Sequence, residues 1–137
     1  LKSKAPLLTL HKNILLTEIS YATPPVNLGA IAASIIAEGY RPVLAHPERY
    51  FFYHRNFDQY RRLREMGFIL QVNLLSLTGY YASGAKKAAR FILEKDLAPL
   101  VGTDLHHFRH LEALHSPALS LQLRKLLDSG RIRNSEL

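Results

Sequence analysis

The 137-residue sequence predicts an α/β fold with parallel strands and helices packed outside them, on three observations. Segments with apolar residues at helical spacing recur, and the first two end at a glycine. Each is followed by a short apolar run of strand character, and the helix–strand pair repeats three times along the chain. Such alternation implies a parallel sheet joined by right-handed crossovers.

In chain order, Leu7 to Leu10, a turn at Lys12-Asn13 and Ile14 to Ile19 (ILLTEI) read as a hairpin feeding the first parallel strand. Val26 to Glu38 (VNLGAIAASIIAE) has the helical period and stops at Gly39; Arg41 to Ala45 (RPVLA) is the buried strand that follows. Asn56 stands as a cap before a helix over Phe57 to Met66, Gly67 ends it, and Phe68 to Val72 (FILQV) is the next strand. Ser83 is the expected cap of a third helix, Gly84 to Lys95, with Ala98 to Val101 (APLV) as its strand. Pro117 to Leu127 closes as a helix, for the order β-β-α-β-α-β-α-β-α.

Composition narrows the function classes. Hydrophobic residues make up 47% and charged residues 21%, enough apolar material for a core and too little charge for disorder. No apolar run approaches the ~20 residues that cross a bilayer, so no membrane span is expected. Zero cysteines exclude a disulfide scaffold, a thiolate zinc finger and a cysteine nucleophile. The net charge of +7 favours an anionic partner without naming it. One alternative is nucleic acid, with bases stacking on the aromatics interleaved with basic residues between Tyr50 and Arg62. Another is a non-catalytic regulatory domain on the same βα scaffold.

In parallel sheets functional groups gather beyond the carboxyl ends of the strands. The residues standing there are Glu18, His46, Asn73 and Asp104, with His106 close behind, each step about one βα unit of ~30 residues. Two carboxylates and two imidazoles on one rim form a ligand set for a divalent metal such as zinc, manganese or iron. The plainer reading makes Glu18 a solvated loop residue, His46 a partner of some neighbour and Asn73 a cap on the turn before Leu74; Asn73 is left outside the metal set. Arg49 and Arg109 each follow a candidate histidine by three residues, and a guanidinium fork suits phosphate oxygens. Arg49 pairing with Glu48, and Arg109 opening a short helix toward Leu114, are the structural alternatives. Of His107, His110 and His115, most are expected to hold no metal.

Three stretches carry a resemblance: GYRPVLAHPERYFFY from Gly39, QVNLLSLTGYY from Gln71 and VGTDLHHFRHLEAL from Val101. In this order they resemble the bacterial tyrosine-protein phosphatases of capsular polysaccharide biosynthesis, within the PHP (polymerase and histidinol phosphatase) superfamily. The resemblance spans nearly the whole chain and implies the second half of a distorted βα barrel around a divalent metal cluster, manganese or iron, with zinc a further option. Glu18 is similar to the family's bridging carboxylate, His46 to its next ligand, and Asp104 and His106 to its last ligand pair. Arg49 falls on an arginine used near the phosphate, and Arg109 is the second arginine so assigned. Implied too are a cytoplasmic location and, as partner, a phosphotyrosine protein, the tail of a tyrosine kinase controlling polysaccharide export.

The chemistry agrees with the residues available. With no cysteine and no D-x-D among Asp58, Asp96, Asp104 and Asp128, what remains is water activated by metal. The family, however, opens with a His-x-His strand end, and here no two histidines stand two residues apart. The chain begins at Leu1, and its only methionine is Met66. Residues 1–137 are therefore read as the C-terminal portion of a single PHP-type phosphatase domain, inactive alone and missing the N-terminal half of the barrel. Two unpaired sheet edges and a partly bare face would then favour a homo-oligomer, most simply a two-fold dimer.

Overall fold

The structure, a computed structural model, describes residues 7–137. Residues 1–6 of the predicted domain lie outside the described residues. Four parallel strands, β1 (Ile14–Thr17), β2 (Arg41–Ala45), β3 (Ile69–Asn73) and β4 (Leu100–Gly102), form one sheet in the order 1-2-3-4. Helices α1 (Leu28–Ala37), α2 (Asp58–Glu65) and α3 (Ala82–Glu94) connect them, and α4 (Phe108–Leu114) and α5 (Pro117–Asp128) follow β4. The α/β class and the parallel sheet are as the sequence predicts.

Alternation along each strand divides the apolar residues between two faces. Leu44, Leu70, Val72 and Val101 enter the main core, where they meet Leu28 and Ala32 of α1, Leu63 of α2 and Ala88, Ala89 and Ile92 of α3. Ile14, Val43 and Leu100 form a smaller cluster of their own, flanked by Ile69 and Leu137. Tyr50, Tyr53 and Tyr60 are buried in the main core, with Phe52 and Phe57 packed against it. Of the aromatics that the nucleic-acid alternative would use as a stacking platform, Tyr50, Phe52, Tyr53, Phe57 and Tyr60 help hold the fold, while Phe51 is exposed.

The three helix-to-strand junctions share one geometry. At the end of α1, Gly39 (φ 86°) lets its N–H reach Ile36 O while Tyr40 N–H reaches Ile35 O. Gly67 (φ 98°) repeats this after α2, with Phe68 N–H on Leu63 O. After α3 the left-handed position is taken by Asp96 (φ 55°), with Leu97 N–H on Ile92 O. The crossed bonds satisfy carbonyls that would otherwise be orphaned and turn the chain straight into the next strand.

Three local expectations are corrected. Leu7 to Leu10 form no strand: the turn sits at Lys12-Asn13 as read, but it carries one antiparallel bridge, His11 to Ile14. Leu8 is 96% exposed, so a strand there would have nothing to cover. Instead the turn is tied to the α1–β2 junction, with the Asn13 amide donating to Gly39 O (2.8 Å) and Arg41 N–H to Asn13 O (2.8 Å). Ser83 does not cap α3, which starts at Ala82 after a turn in which Ala82 N–H reaches Gly79 O. Finally, among the described residues the two sheet edges are not equally open, because the β4 edge is partly covered. Arg133 N–H donates to Pro99 O (2.7 Å), and the Asn134 side chain accepts from Val101 N–H (3.0 Å) and donates to Val101 O (2.8 Å). That amide takes the place of a fifth strand along β4.

Candidate metal centre

Parallel register brings the strand ends to one rim. Thr17 lies opposite Leu44, Ala45 opposite Gln71 and Asn73 opposite Gly102, so the residues that leave each strand emerge side by side. Glu18, His46 and Asp104 leave β1, β2 and β4, and one ligand atom of each lies within 4.8 Å of the other two. They line a cavity of about 210 Å³ with Gln71, Asn73 and Gly102. A Cβ on Gly102 would stand 3.0 Å from the Gln71 amide, which would have to shift to admit it.

Backbone conformation aims two of the three. His46 (φ 36°) and Asp104 (φ 47°) both adopt the left-handed region, which non-glycine residues rarely enter without surrounding support. For His46 the support is visible. Its N–H donates to Gln71 O (2.8 Å), and a short 3-10 turn starts at once with Pro47–Arg49. The ring is 3% exposed, with Nε2 at 3.3 Å from Glu18 Oε1 and Nδ1 at 3.2 Å from the Tyr21 hydroxyl. Burial first, and the Arg49 charge second, push its pKa below the ordinary histidine value against the pull of Glu18. A neutral imidazole, the form with a free lone pair, is thereby favoured.

Arg49 does not pair with its neighbour Glu48. Its guanidinium reaches Asp104 Oδ2 at 2.5 Å, lies 4.1 Å from the Tyr81 ring centroid and 5.3 Å from that of Tyr21. His106 turns back on the same aspartate, with Nδ1 at 2.8 Å from Asp104 O and 3.1 Å from Oδ1, and its ring is largely exposed. His106 is thus beside the triad and linked to it through Asp104. Arg109 is exposed on α4 and is not among the residues lining the cavity. His107 and His115 are exposed, whereas buried His110 accepts the His106 N–H at Nδ1 (3.3 Å).

Beneath the rim stands a residue the sequence reading considered only as a partner for Arg49. Glu48 is 0% exposed; its Oε1 accepts from Asn73 N–H (3.0 Å) and the Ser76 hydroxyl (2.6 Å), while its Oε2 has no partner among the described residues. Burial raises its pKa from 4.5 to about 7 despite those bonds. Tyr50, also buried, accepts the Ile19 N–H (3.1 Å) and so fixes the chain just after Glu18. The HPERY stretch therefore supplies three functions in five residues: His46 to the rim, Arg49 to Asp104, and Glu48 and Tyr50 to the loops on either side.

The donor set fits a divalent cation. Two carboxylates and an imidazole biased toward its neutral form are the ordinary ligands of zinc, manganese and iron.

The comparisons with known proteins agree with this chemistry. A family profile described as capsular polysaccharide synthesis, CpsB/CapC, matches residues 1–125. The tyrosine-protein phosphatase CpsB of Streptococcus pneumoniae is 33% identical over 97 residues, covering 67% of this chain and 40% of that protein. Among solved structures, a match comes from work on YwqE of Bacillus subtilis and CpsB of Streptococcus pneumoniae, described as unique metal-dependent tyrosine phosphatases. Its TM-score is 0.64 at 25% identity, over 83% of this chain and 51% of that one. The chain thus spans about half or less of the length of the relatives it matches.

Proposed function

Since the chain belongs to the CpsB/CapC family of capsular polysaccharide synthesis, we propose that it is the C-terminal portion of a PHP-type, metal-dependent protein-tyrosine phosphatase domain. The observation that carries this reading is the meeting of Glu18, His46 and Asp104 at one rim with Arg49 beside them. In it, Glu18, His46, Asp104 and His106 hold divalent metal, manganese or iron before zinc, and further ligands come from outside this chain, which alone is inactive. The substrate is a phosphotyrosine protein, a cytoplasmic kinase tail, and the protein works as a homo-oligomer.

Bound metal supplies a water deprotonated near neutral pH and positive charge for the phosphoryl oxygens. Glu18 and Asp104 contribute the anionic ligands, and the Tyr21 hydroxyl and ring hold the imidazole of His46 in place. The ring of Tyr81 steadies the guanidinium of Arg49, whose two-pronged donor face suits the equatorial oxygens as charge develops on them. Arg109 is a second cation for the same substrate, approaching from α4.

The test uses the complete protein. Chelation is expected to abolish hydrolysis of a phosphotyrosine peptide, manganese to restore it, and iodoacetamide to leave it unchanged. Activity that survives chelation, or is lost to iodoacetamide, overturns the reading.

A further inference from the structure

We propose that Tyr80 selects for an aromatic phosphate ester, its ring receiving the aryl ring of the phosphotyrosine; the inference deepens the phosphatase reading above and rests on it. Tyr80 stands in the turn between β3 and α3, one residue before Tyr81, whose ring centroid lies 4.1 Å from the Arg49 guanidinium. The two tyrosine rings meet edge to face, with centroids 5.0 Å apart. Tyr80 meets the ring of buried His110 in the same manner, at 5.2 Å. His110 in turn accepts the His106 N–H at Nδ1 (3.3 Å). Tyr80 thus lies where the turn after β3 closes on the loop after β4, one ring removed from Arg49 and one from the loop that carries Asp104 and His106.

The ring is held but not covered. It touches two rings that have partners of their own, yet it remains 41% exposed. The turn ends at Ala82, whose left-handed backbone (φ 76°) is unfavourable for a residue with a side chain and whose N–H closes on Gly79 O (3.0 Å). This strain sits where it presents two tyrosines in succession, one to solvent and one to the cation. Leu105 and Phe108, which bracket His106 and His107, are exposed as well. A centre that recognised phosphate alone would need only charge and hydrogen-bond donors around it, and apolar side chains beside it would gain nothing. A tyrosine phosphate brings both chemistries: oxygens for the metal and Arg49 and, one ester oxygen away, an apolar ring. Tyr80 suits that ring, because aromatic pairs in edge-to-face or offset geometry gain more than the area they bury. A serine or threonine phosphate has no ring to place there.

Phosphonates separate the ring from the phosphate, because they bind without turning over. In the complete, manganese-loaded protein, we expect calorimetry to show phenylphosphonate bound about tenfold more tightly than methylphosphonate. Tyr80→Ala should remove that difference while methylphosphonate binds as it does to the parent, and Tyr80→Phe, which keeps the ring, should retain it. A parent without the preference, or a Tyr80→Ala variant that keeps it, overturns the proposal. Loss of both phosphonates alike in Tyr80→Ala makes Tyr80 a structural residue and overturns it too. If the parent neither binds a phosphonate nor hydrolyses p-nitrophenyl phosphate, the phosphatase reading falls first and takes this inference with it.

Discussion

The two ends of the sheet differ in a way that volume alone would misread. At the amino ends of the strands lies the larger cleft, about 550 Å³, with Arg41, Arg64, Arg131 and Arg133 on its walls; all four are exposed. At the carboxyl ends the cavity is less than half that size. Yet there His46, Glu48 and Asn73 are buried, the exposed Glu18 and half-buried Asp104 have partners, and His46 and Asp104 are held in left-handed backbone. Arginines in the large cleft have weaker ties, such as Arg131 to the carbonyls of Leu93 and Glu94 at the end of α3. A site is marked by groups kept where solvation and backbone preference oppose them together. Asp96 in the large cleft is left-handed but exposed at a helix-to-strand junction, whereas His46 in the small cavity is both left-handed and buried. The positive charge read from composition is no guide either, since four of its carriers line the end away from the candidate ligands.

Mutations at the two ends should separate them. In the complete protein, Glu18→Ala or Asp104→Ala is expected to lower the rate of p-nitrophenyl phosphate hydrolysis roughly a hundredfold or more, as when a metal ligand is lost. Arg131→Ala and Arg133→Ala should leave it unchanged, and equal losses at both ends would erase the distinction. Next in size is a pH effect from Glu48. An acid whose folded pKa is raised from 4.5 to about 7 is fully tolerated below the unfolded value, and stability falls as pH rises between the two. That interval corresponds to about 3 kcal/mol. In the metal-free chain, urea titrations at pH 5 and pH 8 should show the parent losing most of this and Glu48→Gln losing little; parallel pH profiles would mean Glu48 is ionised when folded.

Arg49→Ala should cost about 2 to 3 kcal/mol of transition-state stabilisation, read from kcat/KM, in line with loss of one charge-stabilising donor. An unchanged kcat/KM would confine Arg49 to its ion pair with Asp104. The smallest effect is expected far from the rim. Asn134→Ala removes two hydrogen bonds from β4 and should lower stability by about 1 to 2 kcal/mol in thermal unfolding, with hydrolysis by the complete protein untouched. A matching loss of activity would show the two ends to be coupled.

Much of this is legible in the sequence where a local rule decides. Gly39 and Gly67 mark their junctions because the left-handed position suits glycine, whereas Asp96 fills the same position unannounced. That Glu18, His46 and Asp104 share a rim follows from equal βα spacing in a parallel sheet. Partnerships across the fold are not legible in this way. In the sequence the adjacent Glu48 is the obvious partner for Arg49, but its partner in the fold lies 55 residues on at Asp104. Glu48 itself looks like a surface charge between a proline and an arginine, and only the closure of the Asn73–Ser76 turn over it makes it a buried acid. Tyr21 and Tyr81 gave no signal, because an aromatic beside a future cation looks like any other until both are placed.

The Asn134 amide on β4 makes the sheet monofunctional, in the sense a polymer chemist gives the word. Among the described residues, the other rim of the sheet, β1 beyond its bridge at Ile14, pairs with no strand. A unit with two reactive ends grows without limit, as in edge-to-edge fibres, but a unit with one can only couple once. Strand pairing along β1 would use up that one open edge, whether the added strand comes from the rest of the barrel or from a second copy.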